Sequence, residues 1–159
     1  MQIIISDSTA LIILAKTDKL FLLSNLFAKI YIPEAVFDEV NFKNDIVKDR
    51  LNQTKFIEVK KITDRTIFDK ISAYNIDKGE IEAITLAIEL NENLLIDERK
   101  GRIVAKENGV LIIGLLGILR NNYKLNFINL DELKNIFNEF KDKKLRISNR
   151  LEKIFLESL

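Results

Sequence analysis

The chain has 159 residues, 47% apolar and 31% charged, with 25 Lys+Arg against 24 Asp+Glu, five Gly and one Pro. That balance excludes a disordered chain, a turn-rich many-stranded sandwich and a bulk positive field able to hold nucleic acid by charge alone. With no Cys, His or Trp, it also excludes disulfides, thiolate nucleophiles, Cys/His zinc sites, Ser-His-Asp triads and imidazole acid-base catalysis, leaving carboxylates, hydroxyls, Lys and Arg.

Ile3-Ile4-Ile5 is a β-branched run closed by Ser6-Asp7-Ser8-Thr9. This is the pattern of a strand buried on both faces and followed at once by a helix N-terminus, and it places Asp7 at a strand end. Ala10 to Lys16 reads as helix, and Leu20, Leu22, Leu23, Leu26 and Phe27 as a second helical stripe. Lys29 to Ile32 is a short strand, and Pro33 fits the first turn of a helix carrying Glu34, Val36, Phe37, Glu39 and Val40. Residues 41–52 predict a short helix, Phe56 to Lys60 alternates as a strand, and Asp64 caps a helix through Ala73.

Asn75 to Gly79 is a break. Glu80 to Leu90 is apolar on nearly every side, which places that helix inside the molecule, with Glu80 and Glu82 at its start. Leu94-Leu95-Ile96 then repeats the pattern of the first strand and ends in Asp97-Glu98. Arg99 to Glu107 is a helix stopped by Asn108-Gly109, and Val110 to Ile113 is a buried strand. Gly114 to Asn122 is a helix whose glycines at 114 and 117 predict close helix packing. Two amphipathic helices follow, Asp131 to Lys141 and Ser148 to Glu157; Phe137, Phe140 and Phe155 lie at helical spacings, which fits core or subunit packing better than base stacking.

Short apolar strands alternating with helices predict an α/β fold with a parallel sheet and helices on both faces, and extra helices at the C-terminal end. The length predicts one domain over residues 1–159, at ~100 to 200 residues per domain. The start Met1-Gln2-Ile3 lacks a secretory signal and no run reaches the ~20 apolar residues of a membrane span, so a soluble cytoplasmic protein without a membrane partner is expected. There is no G-x-x-x-x-G-K-[ST] and no strand-following G-x-G-x-x-G, so no nucleotide cofactor is expected.

In open parallel sheets, sites form outside the carboxyl ends of the strands. Two of these ends finish in acid, Asp7 and Asp97-Glu98. N-capping or a favourable helix dipole accounts for each acid taken singly. Brought together, such carboxylates repel unless a cation neutralises them, and a hard divalent ion, Mg²⁺ or Mn²⁺, is the natural partner for oxygen ligands.

The ordered segments Ile3-Ile4-Ile5-Ser6-Asp7-Ser8-Thr9, Ile32-Pro33-Glu34-Ala35-Val36 leading to Glu39, Gly79-Glu80-Ile81-Glu82-Ala83-Ile84, and Leu94-Leu95-Ile96-Asp97-Glu98-Arg99-Lys100-Gly101-Arg102 resemble the PIN domain. The resemblance is to its VapC-like stand-alone prokaryotic group, described as toxins of toxin-antitoxin pairs. It implies a three-layer α/β/α fold and a metal-dependent ribonuclease in which Asp7, Glu39, Glu80 and Asp97 are the four acids that bind Mg²⁺ or Mn²⁺. RNA as substrate, a small antitoxin protein as partner and a homodimer are implied with it. The chain departs from the pattern in having Glu80 where Asp is frequent and Ile96 where Ser or Thr is frequent. The spacing from Ala87 lets either Asp97 or Glu98 take the fourth place.

Arg99, Lys100 and Arg102 follow the fourth acid. They fit an ordinary solvated helix face, or a rim that contacts RNA phosphates. Ile96 and the near-neutral charge support a second reading, a catalytically inactive PIN-like module that binds RNA or a protein partner. A receiver-like signalling domain expects paired acids after the first strand, where Asp7 stands alone.

Overall fold

The computed structural model describes residues 2–43, 45–143 and 145–159; Met1, Asn44 and Lys144 lie outside them. Gln2–Ser6 forms β1, with Ile4 in one apolar layer and Ile5 in another, so its unbroken apolar run reflects burial on both faces. There follow α1 (Ser8–Lys16), the single turn α2 (Phe21–Ser24), β2 (Phe27–Pro33), α3 (Glu34–Lys43), α4 (Asp45–Asn52) and β3 (Ile57–Lys60). Next come α5 (Arg65–Ser72), α6 (Lys78–Leu90), β4 (Asn93–Leu95), α7 (Arg99–Glu107), β5 (Ile112–Ile113), α8 (Leu115–Lys124), α9 (Leu130–Asp142) and α10 (Asn149–Glu157).

The five strands are parallel, in the order β3-β2-β1-β4-β5. The chain runs outward from β1 through β2 to β3, then crosses to the other side of β1 with β4. The carboxyl ends of β1 and β4 therefore flank the topological switch point, where sheets of this kind bind ligands.

Ile4, Ile30 and Leu95 pack under α1, α2, α8 and the C-terminal helices, through Leu14, Leu22, Leu119 and Phe140. On the opposite face Ile5, Leu94 and Ile96 meet Ile71, Ile84 and Val104 of α5, α6 and α7. These layers make the three-layer α/β/α arrangement that the sequence predicts. The Phe137 and Phe155 rings stack with centroids 5.4 Å apart, so these aromatics join α9 to α10 and are core.

Local pattern and structure part company in places. The helical stripe expected to reach Phe27 ends at Ser24, because Phe27 is drawn into the sheet opposite Gln2. Pro33 closes β2 opposite Lys60 and the helix begins at Glu34. The strand expected over Val110 to Ile113 shortens to Ile112–Ile113 at the sheet edge. Among the described residues no helix is long and apolar enough to cross a membrane.

Candidate active site

Asp7 leaves the end of β1 and its amide donates to the Leu95 carbonyl at 3.1 Å, so the residue is stitched across the switch point to β4. Its side chain caps α1, with Oδ1 accepting from the Ala10 amide at 3.3 Å. The other oxygen, Oδ2, is buried and has no hydrogen-bond partner. Burial raises the Asp7 pKa well above the usual carboxylate range, and the negative charges of Asp97, Glu98 and Asp77 add to the shift while the Ala10 amide opposes it.

Glu80 stands in the first turn of α6, a helix capped by Asp77, whose Oδ1 accepts from the Glu80 amide at 2.8 Å. The Glu80 side chain is 8% exposed and its Oε2 is buried without a partner. Its pKa is pushed up to about 8, first by burial, then by a hydrogen bond and charge from Asp77, with Asp7 and Glu98 contributing. Two acids separated by most of the sheet in sequence thus lie within electrostatic reach of each other. The adjoining Glu82 faces elsewhere and accepts from the Ala35 amide at 3.1 Å, which satisfies the start of α3.

Asp97 follows β4, and both its oxygens face the Leu115 amide at the start of α8, at 3.3 and 3.1 Å. Burial raises its pKa, with Glu98 adding to the rise while the Leu115 amide and the Arg102 charge lower it. Glu98 is exposed at the N-cap of α7 and makes no side-chain cap bond. A Cβ on Gly114 would stand 2.7 Å from Asp97 Oδ1 and 2.9 Å from an Arg102 guanidinium nitrogen. Gly114 therefore makes room for the Asp97 carboxylate, a correction to the expectation of helix packing, which holds for Gly117 against Ile113 in the form of helix on strand.

Glu39 joins from α3, its Oε2 accepting from the Ser8 hydroxyl at 2.8 Å. It lines a cleft with Ala35, Asp38, Asp77, Lys78 and Gly79. A Cβ on Gly79 would meet Glu39 Oε2 at 3.2 Å and Asp77 Oδ1 at 3.4 Å, so the bare backbone at Gly79 leaves room for these two acids. Arg99 and Lys100 are exposed at the start of α7. Arg102 turns inward instead, donating to the Ile96 carbonyl at 2.9 Å. The sequence alone gives no role to Asp77 or Gly101 and assigns Gly114 to helix packing; an Asp three residues before Glu80 is a legible capping signal, whereas the glycines answer to carboxyls on other elements.

Among the described residues no lysine or arginine forms an ion pair with Asp7, Glu80 or Asp97. Nor do three acids stand close enough as they are to enclose one ion. What the site offers is two buried unpaired carboxylate oxygens, Asp7 Oδ2 and Glu80 Oε2, beside further acids. Hard oxygen donors, few in number, fit Mg²⁺, which keeps several waters and takes one or two carboxylates, and they suit Mn²⁺ for the same reason.

The class of protein defined here is a parallel α/β/α domain with buried acids at the switch point of its sheet, in a chain without His or Cys. A family model described as a PIN domain matches residues 3–159, and the chain belongs to the PIN-domain family. A search of curated proteins finds no match. Among solved structures, the chain is similar to a PilT N-terminus domain protein from Sulfolobus solfataricus P2, with 23% identity, coverage of 77% of this chain and 94% of that one, and a TM-score of 0.52. It is also similar to a chain of VapBC2 from Rickettsia felis, a structure bound to a DNA fragment from their promoter, with 13% identity, coverage of 71% and 98%, and a TM-score of 0.54. At these identities both likenesses concern the fold.

Proposed function

We propose that the chain is a metal-dependent endoribonuclease that hydrolyses RNA phosphodiester bonds and acts as the toxin of a toxin-antitoxin pair. The observation that carries this reading is the pair of buried, unpaired oxygens, Asp7 Oδ2 and Glu80 Oε2, at the switch point. Two buried acids with no cation beside them are an unfavourable arrangement that a divalent ion relieves. Mg²⁺ or Mn²⁺ would supply Lewis-acid stabilisation of the developing phosphate charge and activation of water. Asp7 and Glu80 hold it, with Asp97 and Glu39 completing the acid set and Glu98 as the neighbour able to replace Asp97. Arg99 and Lys100 take RNA phosphates at the rim; Arg102 joins them only by leaving its bond to the Ile96 carbonyl. Membership of the PIN family and the fold likeness to VapBC2 support a small antitoxin partner, and the resemblance stated from the motifs supports a homodimer.

The test is RNA cleavage by the purified protein with Mg²⁺ or Mn²⁺, with EDTA, and with Asp7→Asn. Cleavage that survives both the chelator and the substitution removes the proposed mechanism. A second reading, a catalytically silent module that binds RNA or a protein, draws on Asp97, whose oxygens are engaged by the Leu115 amide, and on Ile96, which offers no hydroxyl. Tight RNA binding with no cleavage under either metal would select it.

A further inference from the structure

Gly101 has no local reason to be glycine. It is buried in the first turn of α7, and its backbone is not left-handed; among the described glycines that conformation belongs to Gly109. Helical backbone favours alanine over glycine, so the missing side chain answers a spatial demand. A Cβ at this position would stand 2.5 Å from Glu80 Oε2, 3.2 Å from Glu80 Cδ and 2.6 Å from Ile96 Cδ1. The first of these atoms is the buried oxygen that lacks a partner.

We infer that Gly101 is a positioning residue for the candidate ion site: the bare backbone of α7 lets the Glu80 carboxyl, one methylene longer than that of an aspartate, settle between α6 and α7 beside Ile96. The inference deepens the reading above and rests on Glu80 being an ion ligand. It also ties the acid pair to the basic rim, because Arg99 and Lys100 immediately precede Gly101 on the same turn. A methyl group here pushes the carboxyl away or forces α7 outward, and either movement changes the site.

The test is a double-mutant cycle between Gly101→Ala and Glu80→Asp, with Ile96→Val in every chain so that only the carboxyl opposes the new methyl. Two quantities are read on the full-length protein: the melting temperature free of metal, and Mn²⁺ affinity by electron paramagnetic resonance. With Glu80 present, G101A weakens Mn²⁺ binding about tenfold or more; with Asp at 80 the same change costs about twofold or less, since the shorter carboxyl has withdrawn. The loss of melting temperature caused by G101A shrinks in the same way. If G101A alone does not fold, folding of the G101A/E80D chain is the corresponding rescue. Equal losses in both backgrounds, or failure of both chains to fold, overturn the inference. Should the parent chain bind no Mn²⁺, the metal reading of the site fails, and the melting cycle alone decides the fit between Gly101 and Glu80.

Discussion

The Ser8 hydroxyl donates to Glu39 Oε2 across 2.8 Å, joining α1, which Asp7 caps, to α3, which lines the cleft. This bond holds the Glu39 carboxylate to the start of α1. Ser8→Ala leaves that carboxylate without its donor, and the expected loss is about 1.5 kcal/mol of unfolding free energy, the scale for hydrogen bonds to charged groups. Urea denaturation checks it, and RNA cleavage should fall in the same variant. Unchanged stability and unchanged cleavage would show that Glu39 needs no help from Ser8.

Asp7→Asn keeps an oxygen for the Ala10 amide, because Asn caps helices about as well as Asp. It removes one of the mutually repelling charges. In EDTA at alkaline pH the variant is therefore expected to melt no lower than the parent chain, while RNA cleavage in Mg²⁺ drops by about 100-fold or more. Calorimetry with a gel assay measures both, and a variant that unfolds easily would contradict the account of Asp7 as an uncompensated buried acid.

The pH dependence has a definite sign. Glu80 holds its proton up to about pH 8 in the fold and releases it near the ordinary Glu value of about 4.3 when unfolded. Between these values the folded state binds more protons, so this group's contribution to stability is fully present below the unfolded pKa and is lost as pH rises through the folded one. Asp7 and Asp97, both raised, act in the same direction. Metal-free protein should therefore lose melting temperature from about pH 5 to pH 8, with Glu80→Gln flattening the slope. Mg²⁺ should restore more at pH 8 than at pH 5, since the ion requires ionised ligands. At about 100 times its dissociation constant the restored stability is about 2.7 kcal/mol.

Asp97 and Glu98 are separable. Asp97→Asn retains an acceptor for the Leu115 amide and should fold, yet lose cleavage; Glu98→Gln, at an exposed position, should cleave within a few-fold of the parent chain. Gly114→Ala should destabilise by about 1 to 3 kcal/mol through crowding of Asp97 and Arg102. Cleavage lost in E98Q and kept in D97N would reverse the assignment.

The strand ends carrying Asp7 and Asp97 were legible because a β-branched or leucine-rich run closing in acid is a local signal. The helix that carries Glu80 announced itself by apolar residues all round. Glu39 was different: its place beside Ser8 depends on how α3 crosses α1, and only the resemblance to a family pointed there. Arg102 read as a surface charge because nothing in its neighbours along the chain states that its guanidinium turns toward a carbonyl six residues back. Gly101 and Gly114 were opaque for the same reason, since the carboxyls they admit belong to α6 and to the end of β4.

The bond from the Asp7 amide to the Leu95 carbonyl has a consequence for synthesis on the ribosome. A nascent polypeptide that has emerged only through β3 already owns Asp7 and Glu39, but it lacks Glu80, Asp97 and the strand that covers one flank of β1. Until β4 docks, that flank is an open edge with unpaired amides. Truncated translation products ending before it would carry half of the acid quartet and no means of assembling the rest.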